Sequence, residues 1–266
     1  MTFCAAIADT YKPHNACFTE VVDAFDYALR KLGVHDIHGR TIWFGANDRQ
    51  TRQPIKPEDI VYNTEQIAVI GDHRPLIVPG ENVIWDYAQA NIDLLNAAKR
   101  SAILCPIGYA PSMEVIPTGA IEDVDVLFYG WINERRAHIL RDLEAAGLRV
   151  LALPLGTYGA MRDRWISKSK VVLNMHFHEG GIFEVFRVSH LLANRRCVVT
   201  ETPGADRALD ALATAACATA TYDNLVHRCR ELVDNAPLRR EIAERGYEHF
   251  RKLDLVENVR KAIEAV

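Results

Sequence analysis

"VVLNMHFHEGGIFEVFRVSHLLANRRCVVTE", Val171 to Glu201, joins two apolar runs through a polar centre. The run ending at Met175 and the run beginning at Cys197 read as buried strands. Between them lie three histidines, two glutamates, three arginines and the pair Gly180–Gly181. "IFEVFRVSHLLANR" carries its apolar residues at helical spacing, so the stretch reads strand, helix, strand. Such a crossover places its two strands parallel in one sheet. "NMHFHEGG" then falls at the carboxyl end of the first strand, the rim where open α/β sheets bind ligands.

Working outward, the same alternation holds on both sides. "VDVLFYG", "LRVLALP", "KVVLNMH" and "CVVTE" read as strands, with the helices "NERRAHILRDLEAAG" and "GAMRDRWISKS" between them. From Tyr222 onward the chain reads as helical throughout. Nearer the start, "FCAAIAD" reads as a first strand, and "FTEVVDAFDYALRKLG" as a helix ended by Gly33, the residue type favoured just past a helix. "RTIWFGA", "DIVYN", "PLIVPG" and "SAILCPIG" read as further strands and "DYAQANIDLLNAAKR" as a helix. "GYAPSMEVIPTGAIED" has two prolines and two glycines without periodicity, which marks a linker. The expected division is therefore residues 1–110 and 121–266, two doubly wound domains whose ligand sites lie along the strand ends.

Composition bounds the function. A chain of 266 residues with 49% hydrophobic content is long enough for two cores. A formal charge of −4 offers no general attraction to nucleic acid or anionic lipid, so neither is an expected partner and an anionic ligand must be met locally. The six cysteines contain no CxxC pair and read as reduced residues. No stretch approaches the roughly 20 apolar residues of a membrane span, so a cytoplasmic protein is expected.

The polar segment reads as an anion site. Gly180 and Gly181 permit close backbone approach, and a helix starting near Ile182 would present free N–H groups and its positive dipole end to a phosphate. His176 and His178 alternate along a strand end and point to opposite faces. With Glu179 they form HxHE, which lacks a third spaced ligand, so no metal is expected.

The blocks "VLFYGWINERRAHIL", "ALPLGTYG", "SKVVLNMHFHEGGIFEVFRVSHLLANRRCVVTE" and "LRREIAERGYEHFRK" resemble the carboxyl-terminal domain of GT-B glycosyltransferases, more narrowly the bacterial enzymes with spore-maturation-type domains. "VYNTEQI", "VIWDYAQANIDLL" and "CPIGYAPSM" resemble their amino-terminal domain in reduced form. The resemblance implies an α/β GT-B-like fold, two Rossmann-like doubly wound domains facing a cleft, and metal-independent transfer of a sugar from a nucleotide-diphosphate sugar to an acceptor, with no cofactor. One departure is plain: larger retaining families carry two glutamates eight positions apart, whereas here Glu179 is followed at that spacing by Arg187.

Transfer of this kind breaks the anomeric C–O bond, and negative charge grows on the diphosphate leaving group. Gly130 and Asn133, at the turn after "VDVLF", would bring Arg135 and Arg136 to that charge, with Arg187 adding a third cation. Arg135 and Arg136 also fit a solvated helix face, and Glu184 with Arg187 fits a surface ion pair. The donor site expected from these readings comprises Gly130, Asn133, Arg135, Arg136, His176, His178, Gly180, Gly181, Ile182, Phe183 and Glu184, with Tyr158 near the nucleobase. His14 and Glu65 are the expected general-base candidates on the acceptor side, Asp86 a further one; His14 also fits a capping residue and Glu65 a helix start. A nucleotide-binding or regulatory module of the same architecture without transfer activity is the alternative.

Overall fold

The computed structural model describes residues 1–9, 13–46, 54–69 and 81–266. The expected strand "PLIVPG" lies outside them. The chain divides into two compact units, Met1–Met113 with Leu253–Val266, and Glu114–Lys252.

The first unit holds five parallel strands, β1 (Phe3–Ile7), β2 (Arg40–Phe44), β3 (Ile60–Tyr62), β4 (Val83–Asp86) and β5 (Ala102–Leu104), in the order of the chain. Helix α1 (Thr19–Lys31) follows β1 and turns Val21, Val22, Ala24, Phe25, Ala28 and Leu29 inward. Glu20 in its first turn and Arg30 and Lys31 in its last complement the helix dipole. Gly33 lies just past its end at φ +71°, a left-handed conformation that costs glycine nothing. Phe25 meets Phe44 edge-on at 5.0 Å, and Phe44 stacks on Tyr62 at 4.6 Å. The Tyr62 hydroxyl donates to the Cys105 carbonyl at 2.6 Å, so its burial leaves no orphaned O–H.

Strand β4 departs from the expected pattern. "VIWD" merges in sequence with the helical stretch that follows, but pairing with β3 and β5 extends it, and α2 (Gln89–Ala97) starts only afterwards. The turn is held by Asp86, whose carboxylate accepts from the Ala88 N–H at 2.9 Å, Asn63 Nδ2 at 2.6 Å and Asn91 Nδ2 at 3.1 Å. Asp86 is fully buried, and burial pushes its carboxyl up to about 7.

The second unit holds β6 (Val124–Phe128), β7 (Val150–Ala152), β8 (Ser169–Asn174), β9 (Val198–Glu201) and β10 (Ala218–Ala220), again all parallel. Numbered within the unit, their spatial order is 2-1-3-4-5. The winding therefore reverses between β6 and β8, which hydrogen-bond directly. Val126, Phe128, Val171, Leu173 and Val199 build the core with Leu143 of α3 (Glu134–Ala145) and Leu225 and Leu232 of α7 (Leu225–Asp234). Helices α4 (Gly159–Ser167), α5 (Val185–Ala193), α6 (Arg207–Ala216) and α8 (Ala236–Phe250) complete the unit. Neither α6 nor β10 stands out in the sequence. Asp206 caps α6 by accepting from the Ala208 and Leu209 N–H groups, both at 3.1 Å, and "ATA" becomes a strand by pairing with β9.

Two boundaries differ from the expected 1–110 and 121–266. The last helix, α9 (Leu255–Glu264), packs on α1 and belongs to the first unit. The expected linker is divided between the units rather than free. Tyr109 bridges to Asp254 in the first. In the second, the Ile116 N–H donates to Asn194 at 2.8 Å, Arg196 to the Pro117 carbonyl at 2.8 Å, and Tyr247 to Glu114 at 2.8 Å. All six cysteines are free thiols, and no described helix is long and apolar enough to cross a membrane.

Candidate functional site

The carboxyl ends of β6 and β8, on either side of the reversal, carry a cluster of charged side chains within the second unit. The loop after β6 contains Gly130 and ends at Asn133, which caps α3 by accepting from the Arg136 N–H at 3.0 Å. The Asn133 amide also donates to the Phe177 carbonyl at 2.7 Å, tying the β6 loop to the β8 loop.

Arg135 and Arg136 are neighbours on α3 with separate partners. The Arg135 guanidinium forks onto both oxygens of Glu201 at the end of β9, reaches the His176 carbonyl at 3.2 Å, and lies 4.0 Å above the Tyr222 ring. Arg136 is 2% exposed. It donates to the Trp131 carbonyl at 2.8 Å, to the Met175 carbonyl, and to Glu184 at 2.6 Å. Burial lowers its pKa to about 10, which leaves it charged at neutral pH. The solvated-face reading thus fails for Arg136, which links both loops to α5.

Arg187 completes the cluster from the first turn of α5. It donates to Asn174 at 2.8 Å and to Glu184, whose carboxylate therefore bridges two guanidiniums. A Cβ on Gly130 would lie 2.6 Å from Arg187 Nη2, and Gly130 has φ +127°. The left-handed backbone favours glycine here, and a Cβ would push the Arg187 guanidinium aside. Glu201 and Glu184 hold the three arginines, and Glu179 acts electrostatically on Arg135 as well. His176 is 2% exposed, and neither ring nitrogen has a partner among the described residues. Burial lowers its pKa, which keeps the ring neutral at pH 7, while Glu184 and Glu201 pull the other way. Among the described residues, Arg136 Nε is likewise buried without a partner.

The other expected site residues are distributed differently. α5 begins at Val185, three residues later than expected, because Glu184 adopts ψ 63° and the Val185 N–H turns back to the Phe183 carbonyl at 2.7 Å. Ile182 and Phe183 are buried core residues, so their side chains do not line an open site. His178 and Gly180 are exposed on the loop, and His178 meets Phe177 edge-on at 4.7 Å. Gly181 is buried. Tyr158 precedes α4 after β7, the neighbour of β6 on the other side. His14 and Glu65 are exposed in the first unit, after β1 and β3. Glu201 and Asn174 escaped the sequence reading. Both are polar residues closing apolar strands, the same signal that drew attention to His176.

No protein-family model matches the chain. It is similar to the uncharacterised protein L137 of Acanthamoeba polyphaga mimivirus, 28% identical over 186 residues, which is 67% of this chain and 25% of that protein. It is also similar to the uncharacterised protein L138 of the same virus, 30% identical over 132 residues, 49% of this chain and 15% of that protein. The chain thus spans a quarter or less of these two relatives. Among solved structures it resembles the DNA-modifying enzyme β-glucosyltransferase, determined in the presence and absence of uridine diphosphoglucose, with TM-score 0.57 and 12% identity over 99% of this chain and 100% of that one. WaaG, a glycosyltransferase involved in lipopolysaccharide biosynthesis, aligns with TM-score 0.56 and 13% identity over 93% and 83%. A glycosyltransferase from Rickettsia africae gives TM-score 0.55 and 9% identity over 99% and 97%. The fold is that of the GT-B glycosyltransferases, with two parallel-sheet, Rossmann-like halves.

Proposed function

We propose that the chain transfers a sugar from a nucleotide-diphosphate sugar to an acceptor, and that the second unit holds the donor diphosphate without a divalent metal or cofactor. The observation that carries this reading is the cluster of Arg135, Arg136 and Arg187 at the winding reversal of the sheet. Fixed guanidiniums suit a leaving group on which charge accumulates, because they need no reorganisation as the anomeric bond breaks. The neutral His176 ring would add a hydrogen bond to a phosphate oxygen. The first unit would supply the acceptor side, with exposed His14 or Glu65 as general base; the buried and triply hydrogen-bonded Asp86 suits that role less. A place among the bacterial spore-maturation-type enzymes and a cytoplasmic location belong to the same proposal.

Uridine diphosphoglucose is the first donor to test, since the β-glucosyltransferase of similar fold was determined with it. Calorimetric titration with uridine, guanosine and adenosine diphosphates, with and without EDTA, together with assay of donor hydrolysis, tests the reading. Binding unchanged by EDTA and slow hydrolysis are expected; a strict requirement for magnesium or manganese would refute the metal-free mechanism. The second reading is a nucleotide-binding or regulatory module of the same architecture without transfer activity. Tight diphosphate binding with no turnover of any donor supports that alternative.

A further inference from the structure

Glu184 is placed oddly for a structural ion pair. Its carboxylate joins Arg136 to Arg187, yet it stands at the residue before α5 and makes no capping hydrogen bond to that helix. Its side chain is 15% exposed, whereas that of Arg136 is 3% exposed, so the carboxylate lies toward solvent from the cation it holds. Glu201 behaves differently. Both its oxygens are taken by Arg135, and one also accepts the His176 N–H at 3.1 Å, which fixes it in the rim.

The hydrogen-bond inventory around Glu184 is incomplete. Among the described residues, His176 Nδ1 and Nε2 and Arg136 Nε are buried without partners, and the imidazole lies within electrostatic reach of Glu184, Glu201, Arg135 and Arg136. Buried polar atoms are normally satisfied, and leaving them bare is costly. A single carboxylate has two oxygens, both engaged here. A diphosphate has more acceptor oxygens and more charge, enough to meet the two arginines, the Arg136 Nε–H and the single N–H of the neutral His176 ring together.

We propose that the Glu184 carboxylate is an internal competitor of the anionic ligand, holding Arg136 and Arg187 in place until a diphosphate displaces it toward solvent. The proposal rests on reading this rim as the diphosphate site. Glu184 then keeps the arginines aligned while the site is empty, and selects for polyanions, since a weakly charged group gains little by displacing a carboxylate. A merely structural Glu184 implies the opposite response to mutation: its loss would disorder the arginines and weaken anion binding.

The test is calorimetric titration of wild type and Glu184→Gln with inorganic pyrophosphate and, separately, uridine diphosphate. The internal competitor predicts pyrophosphate binding about tenfold tighter in Glu184→Gln, because one opposing charge is removed, and a gain that shrinks as salt is added. Unchanged or weaker pyrophosphate binding in the folded variant, or no pyrophosphate binding by either protein, overturns it. Tighter pyrophosphate binding with no affinity for any nucleotide leaves the competitor standing and removes the glycosyl-transfer reading. Equal nucleotide affinity in both proteins with unchanged pyrophosphate binding does the reverse. If Glu184→Gln does not fold, Glu184→Asp retains the charge but withdraws it by one methylene; about threefold tighter pyrophosphate binding is then expected, and no change overturns the proposal.

Discussion

Replacing Arg136 by alanine separates a side chain that only binds ligand from one that also builds the rim. Arg136 is 2% exposed, and its guanidinium serves the Trp131 and Met175 carbonyls and the Glu184 carboxylate. Truncation strands all three acceptors and leaves Glu184 with only Arg187. Removing one partner of a buried ion pair costs about 3–5 kcal/mol, chiefly because the other partner loses its compensation. At about 2–4 °C per kcal/mol for a protein of this size, the melting temperature should fall by roughly 6–20 °C. Arg136→Lys should recover part of this, since one ammonium cannot span the acceptors that the planar fork reaches. Arg141, exposed on the same helix, is the control, and its alanine variant should stay within about 0.5 kcal/mol of wild type. Differential scanning calorimetry at neutral pH reads all three. A melting temperature for Arg136→Ala within about 2 °C of wild type would refute the reasoning and return Arg136 to the solvated face.

Gly130→Ala should lower both stability and diphosphate affinity, because the new Cβ would lie 2.6 Å from Arg187 Nη2 at a residue with φ +127°; a loss of about 1–3 kcal/mol is expected by chemical denaturation, and wild-type affinity would count against the site. Asp86 has a folded-state pKa of about 7, above the roughly 3.9 of an unfolded aspartate, so its contribution to stability is complete below about pH 4 and is lost as pH rises through 7. The difference in urea midpoint between wild type and Asp86→Asn should accordingly fall from pH 4 to pH 7 and then level off; a difference independent of pH would contradict the raised pKa. A fragment of residues 114–252 should fold and melt at a higher temperature than one of residues 121–252, because the Glu114, Ile116 and Pro117 contacts close the second unit. Equal melting temperatures would show those contacts to be incidental.

The strand and helix alternation from Val124 to Glu201 was legible because each strand is a short apolar run and each helix repeats its apolar residues every three to four positions. These are local signals. They also placed the charged stretch at a strand end, since a polar stretch between a buried strand and a helix can only sit there. Strand β4 was hidden because three apolar residues running into a helix carry no period of their own, and only pairing with β3 and β5 makes them a strand. The three-residue β10 was hidden for the same reason. Neighbouring residues on α3, Arg135 and Arg136 are one step apart in sequence and face different partners. One goes to Glu201 beyond β9, the other to Met175, Trp131 and Glu184. The residue types announced cationic chemistry, but the strand order decided which arginine would be buried. β8 pairs with β6 while β7 lies outside, and that non-local arrangement brings the Met175 carbonyl and Glu184 to Arg136 while leaving Arg141 in solvent.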